Sequence, residues 1–465
     1  MALETFFRKQ FSFAPTSRQE KFFTYFDAFL ASTKPKCTLL LKGYAGTGKT
    51  TLISSVINYL KQSNVTCVVL APTGRAAKVI SGYSHQQAFT IHKMIYQRSA
   101  DKEGTAKISL KQNLFTNTVF IVDESSMIQA EEDNNGYSVT GSLLTDLFQF
   151  VFSASNSKLI LAGDVAQLPP VGSEKSYALD RDWLRLMHHL TAAEVELTEV
   201  MRQTSDSGIL FNATSLRTFI ETHTQGFRFT LPFPDMMPIT ALELQEELEK
   251  CFDEYGKENV MLITRSNKRA NEFNRQVRAR LLFYEEELVE GDFMMVVKNN
   301  YHWLEGENQT NFIANGDIIQ IRKIRGYEEE YGLRFANARV RLVDFDLELE
   351  CKLCLDTITS EGAGLPSEKS TQLFEELKIA YAGESNRRKM FDKIKQDEYY
   401  NALHVKFAYA VTCHKSQGGQ WPAVFVDQGY MTEEMVNTEF YRWLYTAITR
   451  STEKVYLVNF HEQFF

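Results

Sequence analysis

The segment that most restricts the fold is Gly43-Tyr44-Ala45-Gly46-Thr47-Gly48-Lys49-Thr50, entered directly from the apolar run Leu39-Leu40-Leu41. Glycine at 43 and 48 lets the backbone take turns that a side chain would forbid. The loop N–H groups and the first turn of the following helix then point at one spot, which suits a phosphate. In this spacing Lys49 reaches the outer phosphates of a nucleoside triphosphate, and the Thr50 hydroxyl binds Mg2+. A strand, a turn and a helix in that order belong to a parallel α/β sheet, with ligands at the carboxyl ends of its strands.

The rest of the first half repeats the alternation. Short apolar runs predict strands at 38–42, 67–71, 119–123 and 158–163, with helices over 50–62 and 143–153 between them. The pattern resumes with strands expected at 260–264, 406–412, 424–427 and 455–459. A prolyl stretch (Pro232, Pro234, Pro238) precedes it. Two α/β domains follow, 1–204 and 205–465, with the boundary falling between Arg202 and Gly226. Each carries an insertion. Residues 93–118 read as two short polar strands around a Lys-Glu-Gly turn, a hairpin. Residues 315–403 begin rich in strands and turn helical and charged, as a small β-barrel module would with helices appended.

At 465 residues the chain exceeds one compact core, and its 44% hydrophobic and 24% charged residues are ordinary for a globular protein. No apolar stretch reaches the roughly twenty residues that cross a bilayer. The aromatic start, MALETFFRKQFSF, lacks the layout of a secretory signal. A cytoplasmic setting without membrane contact is the expectation. The net charge of −8 offers no global attraction for nucleic acid, though a local basic groove suffices. Six scattered cysteines suit reduced thiols. Cys351 and Cys354 have zinc-like spacing, but they lie in an alternating run where residues three apart face opposite sides. No second Cys or His pair follows nearby, so no zinc site is expected.

Several residues fit triphosphate hydrolysis. Asp123 ends an apolar run, as a magnesium-organising carboxylate at a buried strand end would, and Glu124 is placed to polarise water. Gln167, after Gly163-Asp164, can hydrogen-bond the γ-phosphate or the lytic water. Arg202 and Arg450 are candidates for neutralising transition-state charge, Arg450 from the second domain. Gln19 carries an amide that can read an adenine edge. A simple NTPase has no need of the downstream segments VTCHKSQG (411–418) and YTAITR (445–450). They suggest a second domain that closes on the nucleotide and grips something else.

In this order, these segments resemble the superfamily 1 DNA helicases, most of all the RecD-like, Dda-like and PIF-type enzymes that move 5′ to 3′. GYAGTGKT, APTGRAA (71–77), TIHK (90–93), VDESSM, GDVAQLPPVG, LTEVMRQ, VTCHKSQG and LYTAITR each match a family motif, as do TRSNKRAN, GDFMMVVKNNY and NGD. The match runs from Pro15 to Arg450. Ser125 stands where alanine is usual, a small change that should leave metal binding intact. Without a long N-terminal extension or a nuclease signature, a compact stand-alone helicase is expected.

The resemblance implies two RecA-like P-loop domains with parallel sheets, a β-hairpin pin in the first and an SH3-like barrel in the second. ATP would lie between them, with Mg2+ on Thr50 and Asp123. Gly43, Gly46, Thr47, Gly48, Lys49, Thr50, Thr51, Gln417 and Gly418 would surround the nucleotide, and Gln19 would contact adenine. Lys49, Asp123, Glu124, Gln167, Arg202 and Arg450 would serve hydrolysis. Thr73, Gly74, Thr90, His92, Thr412, His414 and Lys415 would touch single-stranded DNA. A monomer acting on single strands and forks is implied. The rivals are an RNA helicase, because a 2′-hydroxyl contact cannot be read from motifs, and a nucleic-acid-stimulated switch that never unwinds.

Overall fold

The phosphate-loop strand Cys37–Gly43 lies inside a six-stranded parallel sheet, ordered Ala88–Thr90, Cys67–Ala71, Val119–Val122, Lys158–Gly163, Cys37–Gly43, Thr191–Leu197. Alternate residues feed two separate cores. Leu39, Leu41, Val69, Ile121 and Ile160 pack on one face, while Leu40, Leu70, Phe120, Val122, Leu159 and Leu161 pack on the other. Both faces are covered, so these strands read as continuous apolar runs rather than as alternation. One face takes the phenylalanine-rich helices Leu3–Gln10 and Ser17–Ala31; the other takes helix Leu143–Ser153. The structure, a computed structural model, describes residues 3–11, 14–100, 106–130, 138–200, 207–222, 226–304, 312–360, 362, 364–384 and 386–465.

The second sheet is parallel and five-stranded: Ala410–Thr412, Val260–Thr264, Trp421–Asp427, Ser451–Val458, Met236–Ile239. Helix Gly208–Thr222 packs with helix Thr438–Ile448 into this sheet's core. A closed barrel of Phe293–Val296, Ile318–Glu330, Leu333–Leu342, Leu347–Cys354 and Leu403–Phe407 shares that core. The expected insertion, 315–403, is thus too narrow for the barrel. Phe293–Val296 pairs antiparallel with Leu403–Phe407, a contact too distant in sequence to leave a local trace. The run expected as one strand at 406–412 divides for the same reason. Its first part closes the barrel, and Ala410–Thr412 joins the second sheet beside Val260–Thr264.

Helices Ser367–Ala380 and Arg387–Gln396, whose place the sequence does not reveal, cover the barrel through Leu373, Leu377 and Ile394 on Leu333, Phe335 and Cys354. Cys354 belongs to this cluster and Cys351 to the main core, so the two thiols face opposite sides of their strand. Between them Lys352 is 1% exposed; its ammonium meets Glu328 Oε2 and Asn337 Oδ1 (2.5 and 2.8 Å) and lies over the Tyr399 ring. In the first domain, Tyr96–Ala100 and Ala106–Leu110 form the expected hairpin; its Lys-Glu-Gly turn lies outside the described residues. Among the described residues no helix is long and apolar enough to cross a membrane.

Candidate nucleotide cleft and nucleic-acid interface

The strands that carry phosphate chemistry are central in the first sheet, and their carboxyl ends open into a cleft of about 630 Å3. Lys49, Thr50, Asp123, Glu124, Asp164 and Gln167 line it from the first domain; Gly418, Gly419 and Arg450 line it from the second. Within the loop, Gly46 and Gly48 take the left-handed conformation (φ 76° and 81°). Gly43, expected to turn as well, does not. A Cβ there would sit 3.1 Å from Lys49 Cβ and 3.2 Å from Thr47 Oγ1, so a side chain at 43 would crowd the loop and push these neighbours aside. Thr47 is buried, its hydroxyl donating to the Tyr44 carbonyl at 2.8 Å. Thr50 and Thr51 open the helix Lys49–Gln62 along the cleft wall.

Lys49 Nζ lies 3.4 Å from Asp123 Oδ1. Burial alone would depress the Lys49 ammonium, but the carboxylates of Glu124, Asp123 and Asp164 outweigh it and hold its pKa above the ordinary value. Burial raises Asp123 and Asp164 against the pull of Lys49. The site gathers acids around one cation, an arrangement that a second cation would relieve. Glu124 adopts φ 52°, a conformation that side chains beyond glycine rarely take and that strand ends at active sites often do. Glu124 Oε2 and Gln167 Oε1 are buried without a hydrogen-bond partner among the described residues. Two such acceptors beside a phosphate cradle fit a ligand that brings protons and metal-bound water. Ser125, the departure from the usual motif, spends its hydroxyl on the Val122 carbonyl at 2.9 Å and leaves Asp123 untouched.

Helix Thr438–Ile448 of the second domain docks directly on this site. Tyr445 Oη donates to Asp164 Oδ2 at 2.7 Å and accepts the Ala45 N–H at 3.0 Å. Thr446 Oγ1 accepts the Leu168 N–H at 2.9 Å, and Gln417 Nε2 donates to the Leu168 carbonyl at 3.0 Å. The segment bearing Gln167 is held from both sides by the other domain. Gly418, at φ 75°, lets the second domain approach Ala76, where a Cβ would come within 3.1 Å. Arg450 is buried, with its guanidinium donating to the carbonyls of Thr446 (3.1 Å) and Gly419 (3.4 Å) at the cleft wall. Gln19 is fully buried; its Nε2 donates to the Thr47 carbonyl (3.2 Å) and its Oε1 accepts the Thr16 N–H (3.1 Å).

The residues expected to touch a strand lie at the sheet edges instead. Ala88–Thr90 is an edge of the first sheet and Ala410–Thr412 of the second, with Thr73 following the neighbouring strand Cys67–Ala71. Thr73 and Thr90 cap helices, their hydroxyl oxygens accepting the N–H of Ala76 and Lys93, each at 3.2 Å. Gly74 faces the second domain so closely that a Cβ would fall 1.8 Å from Ala314 Cβ. Lys78 pairs with Asp317 across the same boundary at 2.6 Å. Thr412 and Lys415 share a small hollow with Asn267, Asn271 and Lys406. Burial and the nearby Lys406 push Lys415 down to about 8, and burial lowers His414.

Residues 26–218 match the model of an AAA domain, and 407–458 match that of a UvrD-like helicase C-terminal domain. The ATP-dependent DNA helicase Pif1 of Campylobacter jejuni is 25% identical over 90% of this chain and 88% of its own. The ATP-dependent DNA helicase dda of Enterobacteria phage T4 is 26% identical over 66% of this chain and 67% of its own. The chain spans 36% of a longer relative from Methanocaldococcus jannaschii. A solved Pif1 helicase from Bacteroides, in complex with ADP-AlF3 and ssDNA, superposes with a TM-score of 0.51 at 16% identity, covering 97% of this chain and 94% of that one. In sequence the chain is similar to the Pif1 and dda helicases of superfamily 1.

Two RecA-like domains with a barrel in the second are therefore the frame of this protein. In it the expected nucleotide residues converge from both domains on one cleft, apart from Thr47, buried within the loop, and Gln417, which reaches the Leu168 carbonyl. Arg202 lies outside the described residues. Sequence reading missed Asp164, Tyr445 and Thr446 as members of the site. For Thr446 the signal was present: it lies four residues, about one helical turn, before Arg450, a spacing that shares a helix face.

Proposed function

We propose that this Pif1-like chain is an ATP-dependent DNA helicase that moves along single-stranded DNA, 5′ to 3′, and separates duplexes without sequence preference. The observation that carries the reading is the second domain's hold on the Gln167–Leu168 segment through Gln417 and Thr446. A change at the γ-phosphate would act on Gln167, and through Leu168 on the elements bearing Thr412, His414 and Lys415. An enzyme that merely transfers phosphate to a small molecule has no use for that connection.

Lys49 binds the outer phosphates, Glu124 orients the attacking water, and Arg450 with Arg202 neutralises charge in the transition state. Thr50 and Asp123 would hold Mg2+, which supplies charge neutralisation on the phosphate oxygens. Thr73, Gly74, Thr90 and His92 contact the strand from one domain, and Thr412, His414 and Lys415 from the other, through phosphate and sugar. The hairpin 93–118 parts the duplex at a fork. We take the working form to be a monomer in the cytoplasm.

The test pairs Lys49→Ala with two partial duplexes, one with a 5′ tail and one with a 3′ tail. Wild type should unwind only the 5′-tailed substrate, and Lys49→Ala should bind single strands without hydrolysing ATP or unwinding. Unwinding by Lys49→Ala, or hydrolysis indifferent to added oligonucleotide, would overturn the reading. RNA oligonucleotides in the same assay separate the RNA-motor alternative.

A further inference from the structure

We infer that Tyr44 is a positioning residue whose one hydroxyl proton is contested by the two domains, so that the posture of the phosphate loop follows their closure. The inference rests on the ATP-hydrolysing reading above and adds a route by which the second domain reaches the loop. Tyr44 is the second residue of GYAGTGKT, and its carbonyl accepts the Thr47 N–H at 3.2 Å and the Thr47 hydroxyl at 2.8 Å. A displacement at Tyr44 is therefore passed to the turn that leads into Gly48 and Lys49.

The buried Tyr44 side chain ends where the domains meet. Its hydroxyl is bonded to Glu196, on the edge strand Thr191–Leu197 of the first sheet, and to Glu221 Oε1 at 2.9 Å, on helix Gly208–Thr222 of the second domain. Arg217, one turn before Glu221 on that helix, lays its guanidinium over the Tyr44 ring, 4.4 Å from the centroid. Its Nη1 donates to the Thr198 carbonyl of the first domain at 3.3 Å. Arg217 Nε stands 3.8 Å from Glu221 Oε1 and has no hydrogen-bond partner among the described residues. One helix of the second domain thus holds the ring through Arg217 and the hydroxyl through Glu221.

A phenol has one proton to donate, and a carboxylate only accepts. Burial first, then Glu196 and Glu221, hold the Tyr44 phenol far above its ordinary pKa, so it keeps that proton. Two acceptors from different domains therefore compete for one donor. Donation to Glu196 keeps the loop within its own domain; donation to Glu221 ties it to helix Gly208–Thr222. The next loop residue, Ala45, gives its N–H to Tyr445 at 3.0 Å. Consecutive loop residues are thus attached to two different helices of the second domain. Weakening one glutamate should strengthen the hold of the other, which a tyrosine that only fills space would not show.

The experiment uses the full chain and two readouts. One is the ratio of ATPase kcat with and without single-stranded DNA. The other is the closure equilibrium on adding a non-hydrolysable ATP analogue, read by energy transfer between dyes at the exposed positions Leu186 and Leu242, one in each domain. Glutamine keeps the shape of glutamate but accepts more weakly than a carboxylate. Glu221→Gln should lower both readouts about fivefold, the size of one partly exposed hydrogen bond. Glu196→Gln should raise both, because the phenol proton is released to Glu221. Tyr44→Phe keeps the ring beneath Arg217, and on that background neither glutamate substitution should move either readout. The proposal fails if the two glutamate variants shift the readouts in the same direction, or if their effects survive in Tyr44→Phe. A wild type whose hydrolysis ignores single strands would instead overturn the helicase reading, and the closure readout would still decide the role of Tyr44.

Discussion

Tyr445 donates its phenol proton to Asp164 Oδ2 at 2.7 Å, and its phenol oxygen accepts the Ala45 N–H at 3.0 Å. One second-domain hydroxyl therefore joins the phosphate loop to the strand end that precedes Gln167, and all three groups lie at the cleft. Tyr445 is 1% exposed and Asp164 2%, so water does not share these bonds.

Tyr445→Phe keeps the ring and removes both bonds. Asp164 then loses a donor that opposes the effect of burial, and its carboxyl pKa rises further. Leaving a buried acceptor short costs about 1–3 kcal/mol. The expected outcome is an unfolding free energy lower by that amount, read as a shifted urea midpoint, and an ATPase kcat reduced about tenfold, the equivalent of about 1.4 kcal/mol in the barrier. Denaturation curves and steady-state kinetics measured together check it. A variant equal to wild type in both would remove Tyr445 from the coupling.

Lys415 makes strand binding sensitive to mildly alkaline pH. Burial and Lys406 lower its pKa to about 8 from the ordinary 10.5. The charged form is present below that pH and is lost as pH rises through it, so its contact with a phosphate weakens above pH 8. Losing one single-strand phosphate contact should make the slope of log K against log salt shallower by about 0.7. Salt titrations of oligonucleotide binding at pH 7 and pH 9 test this. Lys415→Arg, charged at both, should keep one slope throughout.

His404 sets an acid limit on the barrel. It lies on strand Leu403–Phe407, 9% exposed, where burial first and Lys298 second lower its pKa to about 3. The unfolded chain takes up that proton near pH 6.5 and the folded chain does not. Stability is therefore complete above about 6.5 and is lost progressively as pH falls toward 3. At pH 5 the loss is about 2 kcal/mol, from roughly 1.5 pH units at 1.36 kcal/mol each. His404→Asn should flatten the pH dependence between 7 and 5 by that amount, whatever it costs at neutral pH, and urea midpoints at the two pH values read it directly.

What the sequence discloses here follows from how local the physics is. The phosphate loop is readable because a backbone cradle needs glycine, lysine and threonine at fixed spacing within one turn; Gly48 and Lys49 behave as that logic demands. The central strands are readable because both faces are covered, which leaves unbroken apolar runs such as 158–163. The barrel's first strand is not readable. Phe293–Val296 finds its partner more than a hundred residues later, and nothing in either segment announces the other. Gln19 and Gly43 show a subtler limit. Their residue types suit the functions expected of them, but packing decides what they do, Gln19 against the Thr47 carbonyl and Gly43 against Lys49 and Thr47.

Gly74 and Ala314 meet closely across the boundary between the two domains. A Cβ at 74 would lie 1.8 Å from Ala314 Cβ and 3.2 Å from its Cα, so Gly74→Ala cannot be absorbed by a side-chain rotation. One backbone must retreat, and the neighbouring Lys78–Asp317 pair, 2.6 Å apart, would retreat with it. Overpacking of this kind costs about 1–3 kcal/mol. Because it falls between domains, the cost should appear as poorer closure: strand-stimulated ATPase falls about tenfold, while the folding of each domain changes little. Ala314→Gly removes the nearer clash and leaves the 3.2 Å contact. The double variant should therefore recover most of the lost stimulation, a coupling that a double-mutant cycle measures. Additive losses in the cycle would mean that the two residues do not meet in the state that turns over.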